Sequence, residues 1–184
     1  MQRFTTLLSL LIVGVATAMQ AQIPAPKPAP ELKKVGVFWA GHWTYEGEYK
    51  AGPLGPGGKI TGELTGEMIL GGFFIEFRWT EKGAAGETHG LEIDKYDPVK
   101  QNYLTSEYHD DGSTASGAYT FNGNTCAYKG KFVVGGKQYM AKNTIVFAAD
   151  LMSYTSKGEI SADGKTWALW WEEKYIRDRP GPKT

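Results

Sequence analysis

From Trp39 to Tyr175 the sequence alternates apolar and polar residues with a period of two. The stretch FFIEFRWT at residues 73–80 is one example of this pattern. Roughly nine or ten such runs follow one another, and they predict β-strands because successive strand side chains point to opposite faces. No segment has a helical period long enough to connect two parallel strands. We therefore expect an all-β fold in which each strand has one apolar and one solvated face.

The residues between these runs indicate how the strands connect. Short pairs such as Asn122-Gly123, Gly135-Gly136 and Asp163-Gly164 separate consecutive runs, and such pairs supply the positive φ that tight hairpins need. Tight hairpins join antiparallel neighbours, whereas a Greek-key sandwich needs some long connections. We predict an antiparallel up-and-down β-barrel of about 8–10 strands, preceded by a short helix at residues 31–38. The one long connection, residues 51–59, is expected to be a loop at the mouth.

The N-terminal segment is typical of a secretory signal peptide. Arg3 precedes an apolar run, residues 4–15, and the small residues Ala16-Thr17-Ala18 follow it. We predict a signal peptide at residues 1–21, a proline-rich linker at 22–30, the barrel domain at 31–177 and a C-terminal tail at 178–184. The protein is then exported, either periplasmic or secreted. No transmembrane segment is expected after cleavage, because the apolar run is shorter than the roughly 20 residues of a membrane-spanning helix.

The charged residues and cysteines restrict the class of partner. Lys and Arg together equal Asp and Glu, 20 of each, so the chain lacks the basic excess typical of nucleic-acid-binding proteins. Cys126 is the single cysteine and cannot form an internal disulfide. The three histidines lack the short spacings of metal sites, and we predict neither a metal nor another cofactor. A haem-binding barrel would need an inward histidine such as His89 or His109. The oligomeric state stays open.

The two ends of the predicted barrel carry a recognisable pattern. Gly41-His42-Trp43 begins the first strand and Arg177 ends the last. This pattern resembles the lipocalin-type, or calycin, signature. Over about residues 31–177 the chain is similar to a bacterial lipocalin-like family of unknown function, through FWAGHWTYEGEY, DKYDPVKQNYLTSEYHDDG and SADGKTWALWWEEKYIR. The resemblance implies a barrel with an internal cavity, and no reaction. Gly41, Trp43 and Arg177 are predicted to close its floor, with the arginine over the indole; Arg179 is the alternative cation.

The apolar face of the predicted strands is unusually aromatic. A ten-stranded barrel is too wide to be filled by its own side chains, and an aromatic cavity with a few polar groups is the usual small-molecule site. Plain core packing around buried water is the alternative. In the run at residues 91–95 the same reasoning turns Leu91 and Ile93 inward and Glu92 and Asp94 outward. The predicted cavity residues are Tyr45, Phe77, Trp79, Tyr103, Glu107, His109, Tyr119, Tyr128, Tyr139, Asn143, Tyr154, Trp171 and Glu173.

Three functions fit these residues. The favoured one is binding of a small apolar or aromatic molecule in the cavity. The second is an enzyme that uses Glu107, His109 or Glu173 of the same cavity as acid–base groups. The sequence shows no arrangement of a nucleophile with a base, and we assign no catalytic residue. The third is a protein–protein interaction module that exposes aromatic residues such as Tyr108 and Trp170.

Overall fold

The computed structural model describes residues 25–178, which form one short helix and ten strands. The all-β prediction is confirmed. The elements are α1 (Pro30–Trp39), β1 (Gly41–Tyr49), β2 (Gly58–Ile69), β3 (Phe74–Gly83), β4 (Gly86–Asp97), β5 (Asn102–His109), β6 (Thr114–Asn122), β7 (Thr125–Val134), β8 (Lys137–Phe147), β9 (Ser153–Ser161) and β10 (Ala168–Arg177). A single 3-10 turn, Leu70–Gly72, joins β2 to β3.

The ten strands form a closed antiparallel barrel in which each strand pairs with its neighbours in sequence. Strands β1 and β10 close the ring, with Trp43 opposite Arg177 and Tyr49 opposite Trp171. This topology is the predicted up-and-down barrel. Because every strand is paired on both sides, the barrel has no free edge.

Helix α1 covers one end of the barrel, which we call the closed end. Pro30 suits the first helical turn because the N–H that proline lacks would have no partner there. Leu32, Val35 and Trp39 follow at helical spacing and are buried. The helix is one residue longer at each end than the predicted span of 31–38.

Tryptophan and arginine side chains hold the closed end together. The Trp43 side chain is fully buried, and its indole Nε1 donates to the carbonyl oxygen of Trp39 at 3.1 Å. The Arg177 guanidinium lies 4.2 Å over the centre of the Trp43 ring. Its Nη2 also donates to the carbonyl oxygens of Phe38 at 2.6 Å and Val37 at 3.2 Å. One side chain therefore connects the first strand, the last strand and the end of α1. The alternative cation, Arg179, lies outside the described residues.

The opposite end of the barrel, which we call the open end, consists of loops. It includes residues 50–57 and the hairpin turns β3–β4, β5–β6, β7–β8 and β9–β10. The predicted signal peptide, residues 22–24 of the linker and tail residues 179–184 lie outside the described residues; residues 25–29 lack regular structure. Within residues 25–178, the one α-helix is too short to be a membrane-spanning candidate.

Strand β4 faces the opposite way from the prediction. Asp94 lies opposite Ile75 of β3, and Glu92 lies opposite Phe77. Since directly opposed residues share a face, both carboxylates point into the barrel. The physical cause is the register: the short turn between Gly83 and Gly86 fixes the alignment of β3 and β4, so the apolar Ile93 faces outward despite its hydrophobicity.

Trp170 also differs from the prediction, which placed it outside. A β-bulge between Leu169 and Trp171 inserts this residue into β10. Its ring lies 4.9 Å from that of Phe132 and 4.7 Å from that of Trp171, between ring centres. A bulge re-aims the side chains around it, and Trp170 consequently contributes to the interior.

Candidate functional site

The interior of the barrel contains a cavity of about 620 Å³. It extends from Trp39 at the floor to the 50–58 loop at the open end. Eleven of the thirteen predicted cavity residues line it: Tyr45, Phe77, Trp79, Glu107, His109, Tyr119, Tyr128, Asn143, Tyr154, Trp171 and Glu173. Their placement around one space follows from the alternation; whether they contact a ligand stays a prediction.

Two predicted residues, Tyr103 and Tyr139, do not line the cavity. Tyr103 stacks on Tyr119 at 4.9 Å, and its hydroxyl donates to the carbonyl oxygen of Glu31 at 3.2 Å. Tyr139 belongs to a separate small cluster with Phe132 and Ile160. Both side chains are buried on the inward parity, but neighbouring side chains separate them from the cavity. Parity gives the face of a strand and not the depth along the barrel.

Glycines opposite large rings help to keep the cavity open. Gly90 lies opposite Trp79 across β3 and β4, and Gly158 lies opposite Trp171 across β9 and β10. A β-carbon at either glycine would overlap the indole of its partner. The two rings thus lie against the backbone of the neighbouring strand, and the space at the barrel axis stays free.

A pair of buried carboxyls, Glu92 and Asp94, occupies one wall. Thr105 Oγ1 donates to Glu92 Oε1 at 2.7 Å, and the Tyr119 hydroxyl donates to Asp94 Oδ2 at 2.6 Å. Asp94 is 1% exposed, and its Oδ1 has no hydrogen-bond partner among the described residues. Burial raises the pKa of both carboxyls. The charge of Asp94 and then that of Glu107 raise the pKa of Glu92 further, whereas hydrogen bonds from Glu92 and Tyr119 limit the rise at Asp94. The pair therefore holds a proton more tightly than an isolated carboxyl does.

His109 and Glu107 form an ion pair closer to the mouth. His109 Nε2 lies 2.9 Å from Glu107 Oε1, and the ring packs edge-on against Trp79 and Phe132. Burial disfavours the imidazolium, but the hydrogen bond and charge of Glu107, together with Asp111, outweigh it and raise the pKa of His109. The predicted acid–base pair therefore does converge within the cavity.

Glu173 and Glu81 bring carboxyls from two further strands, and tyrosines bind both. The Tyr175 hydroxyl donates to Glu173 Oε2 at 2.9 Å, and burial raises the pKa of Glu173 to about 8. The Tyr45 hydroxyl donates to Glu81 Oε2 at 3.2 Å, and burial raises the pKa of Glu81 also. These contacts leave both carboxyls facing the cavity, Glu173 with no cation beside it and Glu81 within the influence of His109.

A neutral hydrogen-bond chain lines the wall of strands β8 to β10. Trp171 Nε1 donates to Ser156 Oγ at 2.9 Å, and Ser156 Oγ donates to Asn143 Oδ1 at 3.2 Å. The chain fixes the orientation of the Trp171 indole. It leaves the amide nitrogen of Asn143 as a donor that a ligand can use.

Sequence reasoning missed Glu81, Glu92, Asp94, Ser156 and Tyr175, all of which line the cavity. Glu81 could have been found, because it continues the parity of Phe77 and Trp79 on β3. Tyr175 continues that of Trp171 and Glu173. Glu92 and Asp94 could not have been found, since their apolar neighbours Leu91 and Ile93 indicated that the two carboxylates face outward.

The remaining titratable candidates are His89 and Cys126, of which only Cys126 lines the cavity. His89 lies 3.4 Å from Glu87 on the barrel exterior, so of the two histidines considered for haem only His109 lines the cavity. Cys126 is 1% exposed and burial raises the pKa of its thiol, which makes it unreactive. In the described part of the chain, no group of three or more His, Cys, Asp or Glu residues is arranged to hold a metal ion.

Comparisons with known proteins place this barrel in a family. The crystal structure of Rv2717c from M. tuberculosis is similar, with a TM-score of 0.61 and 15% sequence identity over 83% of this chain and 100% of that one. At that identity the likeness shows the fold alone. No curated protein matches the chain. Residues 38–177 match the family model described as protein of unknown function, DUF1579. The chain therefore belongs to the DUF1579 family.

Proposed function

We propose that this protein is an exported, lipocalin-like carrier that binds a small molecule with a largely apolar or aromatic body inside its barrel. The observation that carries this proposal is the cavity of about 620 Å³. That volume lies within the range of small-molecule sites, roughly 300–1,000 Å³. Aromatic rings form much of its wall, and a few buried polar groups can orient a guest.

The entrance of the cavity supports a carrier. Residues 52–58, a glycine- and proline-rich loop, line the cavity at the open end. Leu54 of this loop packs against the cluster that contains Phe132 and Tyr139, so the loop lies against the rim. Loops at the mouth of a barrel can admit a ligand without disturbing the paired strands.

The exported location and the kinship with lipocalins are parts of the same proposal. The location rests on the signal-peptide pattern at residues 1–21. The kinship rests on Gly41, Trp43 and Arg177, whose arrangement at the closed end resembles the floor of a lipocalin barrel. An extracytoplasmic carrier is compatible with a domain whose single cysteine forms no disulfide.

Ligand binding can be tested by tryptophan fluorescence and native mass spectrometry with a library of aromatic and lipidic compounds. Trp39, Trp79, Trp170 and Trp171 line the cavity, so a guest should quench their emission. We expect at least one compound to bind with 1:1 stoichiometry. If no compound binds, the proposal is wrong.

A matched pair of substitutions locates the binding. Ala115 lies on the inward face of β6 and lines the cavity, whereas Ala118 of the same strand lies on the outward parity. Ala115→Trp should abolish binding measured by mass spectrometry because the indole fills the cavity. Ala118→Trp should leave it unchanged. Equal effects of the two substitutions would place the ligand outside the barrel.

An enzyme is the second candidate, and the ion pair of His109 with Glu107 favours it. The two groups approach within 2.9 Å inside the cavity, so an imidazole and a carboxyl that can act as acid or base lie at one position of its wall. The test is the chemical fate of the ligand: it is incubated with the protein, recovered and weighed by mass spectrometry. Conversion that His109→Ala abolishes would support catalysis, and recovery of unchanged ligand supports a carrier.

The interaction module has the least support. One of its two predicted aromatics, Trp170, lines the cavity. Tyr108 is 52% exposed, and the other exposed large apolar side chains of the strands, Val133, Val146 and Ile176, lie on three different strands.

A further inference from the structure

The charges of the cavity wall are strongly unbalanced. Its lining includes six carboxyl groups and only two groups that can be cationic, Lys50 and His109. The six carboxyls are Glu81, Glu92, Asp94, Glu107, Asp111 and Glu173. The whole chain has no net charge, so the imbalance is local to the interior.

The two cationic groups do not neutralise this wall. Lys50 Nζ lies 2.9 Å from Glu48 and 3.5 Å from Glu172, and neither glutamate lines the cavity. His109 pairs with Glu107. Among the described residues, Glu92, Asp94 and Glu173 therefore have no cationic partner, whereas the charge of His109 also acts on Glu81.

Strand register brings like charges together within the wall. Glu92 of β4 lies directly opposite Glu107 of β5, and both side chains face the cavity. Like charges directly opposed across two strands are destabilising, and a buried carboxylate is costly without a partner. Asp94, two residues further along β4, is buried, and among the described residues its Oδ1 has no donor apart from the proton that it can share with Glu92. An interior that held only apolar molecules would be more stable with apolar residues at these positions.

The surroundings of these carboxyls suit an organic cation. The Trp79 ring is 5.3 Å from that of His109 and lies across one wall of the cavity, and Tyr128 and Phe132 line the same space. Aromatic faces attract ammonium groups. Among residues 25–178 no set of side chains is arranged as a metal site, which favours an ammonium over a metal ion.

We infer that the ligand is an organic amine whose ammonium group sits against Glu92, Asp94 and Glu107 while its apolar or aromatic body lies against the ring-lined wall. This inference rests on the proposed function, because it names the chemistry of the molecule in the same cavity. Charge-assisted hydrogen bonds are about twice as strong as neutral ones, so the ammonium supplies both affinity and selectivity.

Protonation of the wall links this binding to pH. Burial raises the pKa of Glu92 and of Asp94, and the groups that face the pair are Thr105, Glu107, Tyr119, Cys126 and Tyr128. A bound ammonium favours the ionised carboxylates and releases a proton. Amine affinity should therefore rise as pH increases through the raised pKa of Asp94, which is about 6, and loss of the proton from His109 with rising pH acts in the same direction.

The experiment compares three probes that share a skeleton and differ in charge: 4-phenylbutylamine, 4-phenylbutanol and 4-phenylbutyrate. Calorimetric titration of the full mature protein at pH 8 gives the dissociation constant of each probe. The amine should bind at least about tenfold more tightly than the alcohol, and the carboxylate should bind most weakly. Between pH 5 and pH 8 the amine affinity should rise by several-fold and the alcohol affinity should stay constant.

Isosteric variants assign the charge to the wall. Asp94→Asn and Glu107→Gln should each lower amine affinity about tenfold while leaving alcohol affinity within about twofold. Glu46→Gln, on the exposed outward face of β1, is the matched control and should change neither. Thermal melting of each variant shows whether the barrel has folded, and Glu92→Gln replaces any variant that has not.

The outcomes separate the two claims. If the alcohol or the carboxylate binds as tightly as the amine, the charge inference is wrong and the carrier proposal stands. If neither these probes nor any library compound binds, both the carrier proposal and the amine inference are wrong. If only another library compound binds, a neutral or anionic binder also refutes the inference, and a cationic binder supports it.

Discussion

The two ends of the barrel use aromatic residues for opposite purposes. At the closed end the Phe147 ring packs edge-on against those of Trp39 and Trp43, with ring centres 4.9 and 6.3 Å apart, and Trp43 is fully buried. At the open end Trp79 and Trp171 lie against glycines and leave a cavity between them. The difference shows that the residue opposite a ring decides whether an aromatic fills a core or lines a pocket.

The largest difference between the two ends should appear in stability. Trp43→Ala removes a fully buried indole and should lower the free energy of unfolding by about 3–5 kcal/mol. Trp171→Ala, at the cavity wall, should cost less than half of that because no packed neighbour fills the axis beside it. Urea denaturation of both variants measures the two losses. Equal losses would show that the open end is as tightly packed as the closed end.

Arg177 tests whether the closed end depends on its charge. Arg177→Met keeps most of the aliphatic stem but removes two donors to the end of α1 and the cation over Trp43. We expect a loss of about 2–3 kcal/mol in the free energy of unfolding. Arg78→Met is the control: the Arg78 side chain is 65% exposed and pairs with Glu76, so its loss should stay within about 1 kcal/mol. Similar values for the two variants would contradict the role of Arg177.

Gly158 tests whether glycine keeps the open end open. Gly158→Ala should push the Trp171 indole towards the barrel axis, cost about 1–2 kcal/mol through overpacking, and lower the affinity for any cavity ligand several-fold. At Gly52 an added β-carbon has its nearest neighbour at 3.9 Å, so Gly52→Ala should change neither quantity. Calorimetric titration and thermal melting of both variants provide the comparison.

The smallest expected effect is a pH dependence from the cavity wall. The pKa of Glu173 is raised in the folded protein from 4.5 to about 8, so the folded state binds more protons than the unfolded state between these values. The stability from this group is complete below about pH 4.5 and is lost as pH rises towards 8. Glu173→Gln should avoid this loss.

The free energies of unfolding of Glu173→Gln and the wild-type protein should therefore agree at pH 4.5 and diverge as pH rises. The advantage of the variant should grow with pH up to about pH 8.5, by no more than the limit of about 1.4 kcal/mol per pH unit that one proton allows. Denaturant titrations across this range measure the difference. A difference that stays constant with pH would show that Glu173 ionises normally.

Much of the fold was predictable because strand alternation and tight turns are local signals. The hairpin at Asn122-Gly123 and the run at residues 73–80 each define their own geometry without reference to the rest of the chain. The helix was predictable from the spacing of Leu32 and Val35. All of these features need only a few neighbouring residues, so the sequence carries them directly.

The charge of the site was not predictable, because it depends on register between strands. Glu92 and Asp94 alternate with Leu91 and Ile93, and hydrophobicity alone turns the apolar pair inward. The pairing of β4 with β3 turns Glu92 and Asp94 into the barrel instead. The interior of this barrel therefore holds polar groups. The prediction that Trp170 faces outward was wrong for a related reason: a bulge shifts the alternation, and a strict period of two does not predict where a bulge occurs.

The contact between Arg177 and Phe38 spans 139 residues of chain, and this has a consequence for biosynthesis. The barrel cannot close until β10 has been made, so one edge of β1 stays unpaired throughout translation. Contacts of such long range slow folding, and an unpaired strand invites association with other chains. In a chain that stops short of β10, β1 and β9 would each have an unpaired edge that can pair with other chains. A chaperone that shields nascent β-strands should bind such a chain.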